Sequence, residues 1–264
     1  MKTATLSKPS LLHQLLIAAV LLELVPAIIL IAAILLGLAP ALGYGADKTQ
    51  RLFDGKDLAG WRTPTGTWSV GKGVSLDPAD SKKFVISPGQ GVLVNSAISH
   101  TVDLITEAEF GDMEAHIEFC VAKHSNSGVY LMGRYEMQVY DSYGVEKDEY
   151  PGIECGGIYP RWINEKNVEG HSPRVNASKP PGQWQTFDIT FRAPRFDASG
   201  KKIANAKVVK FVHNGKVIHE NVELNGPTRG PIAEDEKPTG PIRLQGDHGP
   251  VAFRNLRVKA IEIK

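Results

Sequence analysis

From Arg51 to the end of the chain, short runs of alternating or β-branched residues are interrupted by Gly, Asn, Pro and Asp, and a helical period is almost absent. The clearest runs cover residues 68–70, 74–76, 91–95, 112–121, 128–132, 135–140, 183–193, 207–213, 216–222, 240–244 and 251–260. About eleven short strands in one stretch predict an all-β fold, a sandwich of two sheets. Two connections set neighbours. Residues 123–128 have the small polar composition of a hairpin loop, and Asn214-Gly215 makes a two-residue turn because both residues tolerate positive φ. One short helix is expected at 103–108, and residues 228–238 read as an exposed loop. The stretch 143–181 has no period and is too long for an idle connection, so it is expected to line a binding site.

Ahead of the strands stands an apolar run from Leu15 to Gly43, interrupted by Glu23 and softened by Pro26 and Pro40. It reads as an apolar helix, longer than a signal-peptide core and long enough to span a bilayer. Ala39-Pro40-Ala41 is an imperfect small-residue cleavage site, so a cleaved signal and a retained anchor both fit. With Lys2 and Lys8 in front, either version puts the following domain outside the cytoplasm, in the periplasm or beyond the cell. Residues 1–46 are therefore expected to be signal or anchor and the sole contact with membrane, and residues 47–264 the β domain.

The chain carries 30 basic against 29 acidic residues with no long stretch of one sign, which removes the electrostatic basis for nucleic-acid binding. Cys120 and Cys155 could pair in an oxidising compartment, but packing as a small hydrophobe is the simpler reading of Cys120. His-x-His, Glu-x-x-His, Asp-rich calcium loops and Gly-x-Ser-x-Gly are all missing, so neither metal nor serine-hydrolase chemistry has support in the sequence. No cofactor is indicated, and a divalent metal is left open.

Polar side chains gather at alternate positions in two segments. Along Tyr135 to Asp141, Glu136, Gln138 and Tyr140 share one strand face while Met137 and Val139 share the other. A carboxylate, an amide and a phenol on one surface suit a hydroxyl-rich ligand, although a plain solvated face would look the same. Asn126 and Ser127 precede the neighbouring strand, where Tyr130 is either a sugar platform or ordinary packing. His116 and Glu118 read as a pair on a solvent edge, and Trp184 as core. Near the C-terminus, Gln245-Gly246-Asp247-His248-Gly249 sets an imidazole on a tight loop, where it could act as acid or base or merely bond the backbone.

These segments together resemble the 3-keto-disaccharide hydrolase domain family. The resemblance rests on residues 52–61 (LFDGKDLAGW), 126–130 (NSGVY), 136–141 (EMQVYD), 157–159 (GIY), 179–184 (KPPGQW), 240–249 (GPIRLQGDHG) and 253–255 (FRN), in family order across about residues 50 to 262. It implies a jelly roll of the concanavalin A-like lectin/glucanase type whose concave face binds saccharide. It also implies cleavage of glycosides already oxidised at C3 by a partner sugar 3-dehydrogenase. On that route Glu136 or His248 would be the base, and Lys179, Gln138 or Gln245 would polarise the ketone or enolate. Asn126, Asp141 and Tyr159 would bind hydroxyls, with Asp247 beside His248 and Tyr130 at the ring. Two positions depart from the family pattern: Gly246 separates Gln245 from Asp247-His248, and Met132 stands where Arg is common. A non-catalytic carbohydrate-binding domain is the alternative, because the same face can bind without reacting.

Overall fold

The computed structural model describes residues 49–95, 101–146 and 153–264, so the apolar leader lies outside the described residues. Among the described residues every regular element is a strand, and no helix is long and apolar enough to cross a membrane. In chain order the strands are β1 (Thr49–Arg51), β2 (Trp68–Leu76), β3 (Phe84–Asn95), β4 (Leu104–Phe110), β5 (Met113–Val121), β6 (Asn126–Leu131), β7 (Tyr135–Tyr140), β8 (Arg161–Ile163), β9 (Lys166–Val168), β10 (Gln185–Arg192), β11 (Arg195–Phe196), β12 (Lys202–Ala204), β13 (Ala206–His213), β14 (Lys216–Leu224), β15 (Gly240–Leu244) and β16 (Val251–Ala260).

The large sheet runs β14-β13-β10-β5-β16-β3-β2, with β1 paired to β16, and the small sheet runs β4-β15-β6-β7. Their inner faces form one apolar core, giving the expected jelly-roll sandwich. Phe119, Phe187, Phe211 and Phe253 of the large sheet and Val129, Leu131, Met137, Val139 and Leu244 of the small sheet are fully buried in it. The aromatic rings interlock: Phe187 lies 4.5 Å from Phe119 and 4.7 Å from Phe211, and Tyr135 of the small sheet reaches Phe191 of the large one at 5.3 Å.

The segment expected as a helix, 103–108, is instead the edge strand β4. Leu104, Thr106 and Phe110 are buried at even spacing, and β4 pairs with β15 from Leu104↔Leu244 to Phe110↔Gly240. Its Glu-Ala composition favours a helix locally, but the open edge of β15 supplies a ladder of hydrogen bonds and a buried inner face that local preference cannot match. The long stretch 143–181 also holds more structure than its missing period suggests. It contains the β8–β9 hairpin, and Ile158 bridges both Met137 and His171. Strands of three residues are too short to show a period. Residues 228–238 are exposed only in part, since Thr228 is 2% exposed. Cys120 and Cys155 are separate buried thiols, both pushed up to about 12 by burial.

Two histidines are built into the large sheet in neutral form. His213 donates from Nε2 to Gln185 Oε1 (2.9 Å), and His219 donates from Nε2 to the Gly156 carbonyl (2.8 Å). Burial pushes their pKa values down to about 3 and about 4 from 6.5. The unfolded chain therefore binds protons below about pH 6.5 that the folded chain refuses, and stability is lost on acidification through that window. Each histidine should cost about 2 kcal/mol by pH 5. In melts between pH 7 and 4.5, His219→Gln should lose stability less steeply than the wild-type protein. Identical slopes would show that His219 protonates freely in the fold.

Candidate active site

Side chains alternate across β6, β7 and β15, so the residues that do not enter the core share the outer face of the small sheet. The register sets Tyr130 opposite Glu136, Gly128 opposite Gln138 and Asn126 opposite Tyr140, with Arg243 of β15 beside Tyr130. In most sandwiches such a face is solvated. Here Glu136 is 2%, Gln138 3%, Tyr130 2% and Arg243 7% exposed. The cover comes from two loop segments. Residues 156–159 run along the free edge of β7, where the Gln138 N–H donates to the Gly157 carbonyl and the Tyr159 N–H to the Glu136 carbonyl. Thr228 completes that edge: its hydroxyl accepts the Glu136 N–H (3.0 Å) and donates to the Arg134 carbonyl (3.1 Å).

Gly128 makes room for the Glu136 carboxyl at the centre of this buried polar cluster. A Cβ at residue 128 would lie 2.9 Å from Glu136 Cδ and closer still to Oε1, so the carboxyl group occupies space that only glycine leaves open. Glu136 Oε2 accepts from the Tyr130 hydroxyl at 2.7 Å, and the Arg229 carbonyl offers that hydroxyl a second acceptor at 3.3 Å. The Arg243 guanidinium lies 3.8 Å over the Tyr130 ring and donates from Nη1 to the Gly230 carbonyl (2.7 Å). Its Nε is 2.8 Å from Asp103 Oδ2, an ion pair without in-line hydrogen-bond geometry.

Burial pushes the Glu136 carboxyl up to about 8, against the opposing pull of the Tyr130 hydrogen bond and Arg243; Asp247 and Asp103 push it further in the same direction as burial. At neutral pH the group is mainly protonated, with Oε2 still accepting from the Tyr130 hydroxyl. Around it, Asn126 Oδ1, Gln138 Oε1 and Gln245 Oε1 are buried with no hydrogen-bond partner in the protein. Gln138 faces Gly128 across the β6–β7 ladder, Asn126 is two residues along β6 on the same face, and Gln245 donates its backbone N–H to the Gly128 carbonyl. These three amide oxygens are acceptors that water or a ligand hydroxyl could fill.

The loop after β15 carries the imidazole. His248 Nδ1 is 2.7 Å from Asp247 Oδ1, so the Nδ1 proton belongs to that bond and the lone pair to Nε2. The loop is pinned by Asp103, whose Oδ1 accepts the Gly246 N–H (2.7 Å), and by Asn95, whose Nδ2 donates to the Gly246 (3.1 Å) and His248 (2.7 Å) carbonyls. Gly246, one of the two departures from the family pattern, is required here: a Cβ would lie 2.7 Å from the Val102 carbonyl carbon. Met132, the other, is buried in the core.

The structure therefore gathers Glu136, Tyr130, Gln138, Asn126 and Gln245, with the Asp247–His248 pair and Tyr159 at their border. Tyr159 is half-buried, its hydroxyl raised by burial and by Glu136. Three further residues expected at the site are held by contacts within the chain. Tyr130 has Arg243 over one face of its ring and gives its hydroxyl to Glu136. Lys179 is bonded elsewhere, its Nζ donating to the Trp184 carbonyl and its N–H to Gln185 Oε1. Asp141 accepts the His124 N–H at 2.8 Å and so braces the β5–β6 loop. Sequence reading missed Arg243, although the same alternation that pairs it with Gln245 was visible. It also missed Asp103, Thr228 and Arg229, which stand in connections without a period. Among the described residues no three His, Cys, Asp or Glu side chains form a group that could hold a metal ion.

Comparison with known proteins agrees with this architecture. A family model described as a 3-keto-α-glucoside-1,2-lyase-like domain matches residues 48–259. A Parabacteroides distasonis structure provisionally assigned as a glycosyl hydrolase superposes with TM-score 0.56 at 29% identity, covering 81% of this chain and 84% of that one. A second from the same organism, with the same provisional assignment, gives TM-score 0.51 at 21% identity over 81% of this chain and 100% of that one, a likeness of fold. No curated protein matches the chain.

The buried proton has a thermodynamic signature. Unfolded Glu136 ionises near 4.5 and folded Glu136 near 8, so the wild-type protein loses stability as pH rises between those values. Glu136→Gln has no such proton, and its stability relative to wild type should climb across that window by an amount on the order of 4 kcal/mol, then level off. A constant difference in denaturant midpoints would mean the carboxyl is ionised in the fold. Gly128→Ala should cost about 1–3 kcal/mol by overpacking and should expel the Glu136 carboxyl from its place. Unchanged stability in the alanine variant would refute the close approach.

Proposed function

The chain belongs to the 3-keto-α-glucoside-1,2-lyase-like domain family, and from that membership and the buried polar cluster around Glu136 we propose that it cleaves glycosides oxidised at C3. A C3 ketone acidifies the hydrogen on C2. A base removes that proton, the electron pair forms the enolate, and the enolate expels the oxygen substituent from C1. Water then adds its hydroxyl to C1 and a proton to C2, and the net result is hydrolysis. The route needs a base, an acid or oxyanion stabiliser, and contacts that hold hydroxyls, rather than the spaced carboxylate pair of most glycosidases.

The observation that carries this reading is the set of three unpartnered amide oxygens, Asn126 Oδ1, Gln138 Oε1 and Gln245 Oε1, beside a protonated carboxyl. Amide oxygens accept from sugar hydroxyls. Glu136, as the protonated partner of Tyr130, donates to the enolate or the departing oxygen, and Arg243 supplies positive charge nearby. His248, oriented by Asp247, takes the C2 proton on Nε2. The ketone comes from a sugar 3-dehydrogenase acting upstream. The domain works outside the cytoplasm, delivered or held by the apolar run of residues 15–43, in keeping with Lys2 and Lys8 ahead of it.

The test is release of the aglycone from a 3-keto-glucoside and from its unoxidised parent. Release from the keto compound alone is expected, with Glu136→Gln and His248→Asn each lowering kcat/KM about a hundredfold. The pH profile assigns the role of Glu136. As an acid it is lost by ionisation, so the wild-type rate should fall above about pH 8; a rate that instead rises through that value would make Glu136 the base. Saccharide binding with no turnover of any keto-glycoside would leave the carbohydrate-binding alternative in place.

A further inference from the structure

Trp162 is 46% exposed, an unusual position for so large an apolar side chain. It is also rigidly held. It sits on β8, and the β8–β9 hairpin closes through Asn164 and Glu165, both at positive φ (50° and 61°), as a two-residue turn requires. At the base of the hairpin, Arg161 Nη1 donates to Glu169 Oε2 at 3.0 Å. The Arg229 guanidinium lies 3.9 Å from the centroid of the indole.

Arg229 links this indole to the pocket. Its N–H donates to the Pro160 carbonyl (2.9 Å), two residues before Trp162, and its own carbonyl faces the Tyr130 hydroxyl at 3.3 Å. The next residue, Gly230, gives its carbonyl to Arg243. Residues 228–230 thus form a single segment with Glu136 and Tyr130 on one side and the Trp162 hairpin on the other. An exposed indole joined through Arg229 to the Tyr130–Glu136 pair is suited to the apolar C–H face of a pyranose, or to an aryl ring.

We propose that Trp162, backed by Arg229, is the platform for the ring attached to the leaving oxygen, so that the protein selects glycosides whose aglycone is a second sugar or an aryl group over those with a small alkyl group. The inference rests on the function proposed above and adds the determinant of substrate class.

The test compares wild type with Trp162→Ala on a 3-keto-disaccharide and on methyl 3-keto-glucoside. Because the side chain is exposed, the variant should fold, and an unchanged melting temperature and circular dichroism spectrum would verify it. For the disaccharide KM should rise about tenfold with kcat nearly unchanged, the methyl glycoside should be unaffected, and Trp162→Phe should recover part of the loss. Equal effects on both substrates, or none on either, would overturn the proposal. If the wild-type protein turns over no keto-glycoside, the proposed reaction is wrong, and the platform is then judged by NMR titration with the unoxidised disaccharide. Binding about tenfold weaker in Trp162→Ala would support it; equal affinity, or no binding, would refute it.

Discussion

The carboxyl group of Glu136 lies across the backbone of Gly128, in space that any Cβ would fill, and the cover over the small sheet closes around that contact. Ordinary strands of a sandwich bury one face and wet the other. Here β6, β7 and β15 are buried on both sides: the core lies beneath, residues 229 and 230 reach Tyr130 and Arg243 on the outer face, and residues 156–159 close the edge of β7. A polar face that cannot be solvated must be satisfied from within or by a ligand. The Tyr130 hydroxyl meets part of the need of Glu136, while Asn126 Oδ1, Gln138 Oε1 and Gln245 Oε1 have no partner within the chain.

The same burial decides the electrostatics. A guanidinium near a carboxyl would ordinarily hold it ionised, yet Arg243 is already engaged by Asp103 and the Gly230 carbonyl. Asp247 adds a further negative charge within range of Glu136. Desolvation therefore dominates, and Glu136 keeps its proton into the neutral range. His248 stands in contrasting surroundings: it is exposed, on a loop held by Asn95 and Asp103, with a carboxylate on Nδ1. On the proposed route, these two groups in unlike environments would divide the acid and base roles without a matched pair of carboxylates.

Period-two alternation made the strands of the sandwich legible, and the face shared by Glu136 and Gln138 with them, because a strand's two faces follow directly from spacing. It failed where spacing is silent. Residues 103–108 favour a helix locally, and only the waiting edge of β15 makes them a strand. The sequence left Tyr130 open between sugar platform and ordinary packing, and gave no sign that Arg243, from a strand more than a hundred residues away, lies over its ring. Lys179 shared a family motif with the site residues, and its ammonium is bonded to its own loop.

By itself the sequence determined the all-β class, the family, and the alternation that puts Glu136 and Gln138 on one strand face, away from the core. All of these depend on residue type and local order. Only the tertiary structure decided that this face is enclosed, that Arg243 and Asp103 neutralise each other beside it, and that Glu136 holds a proton. Those properties depend on distance and on exclusion of water, which arise when segments far apart in the chain, 95, 103, 128–138, 156–159, 228–230 and 243–248, are brought to one place.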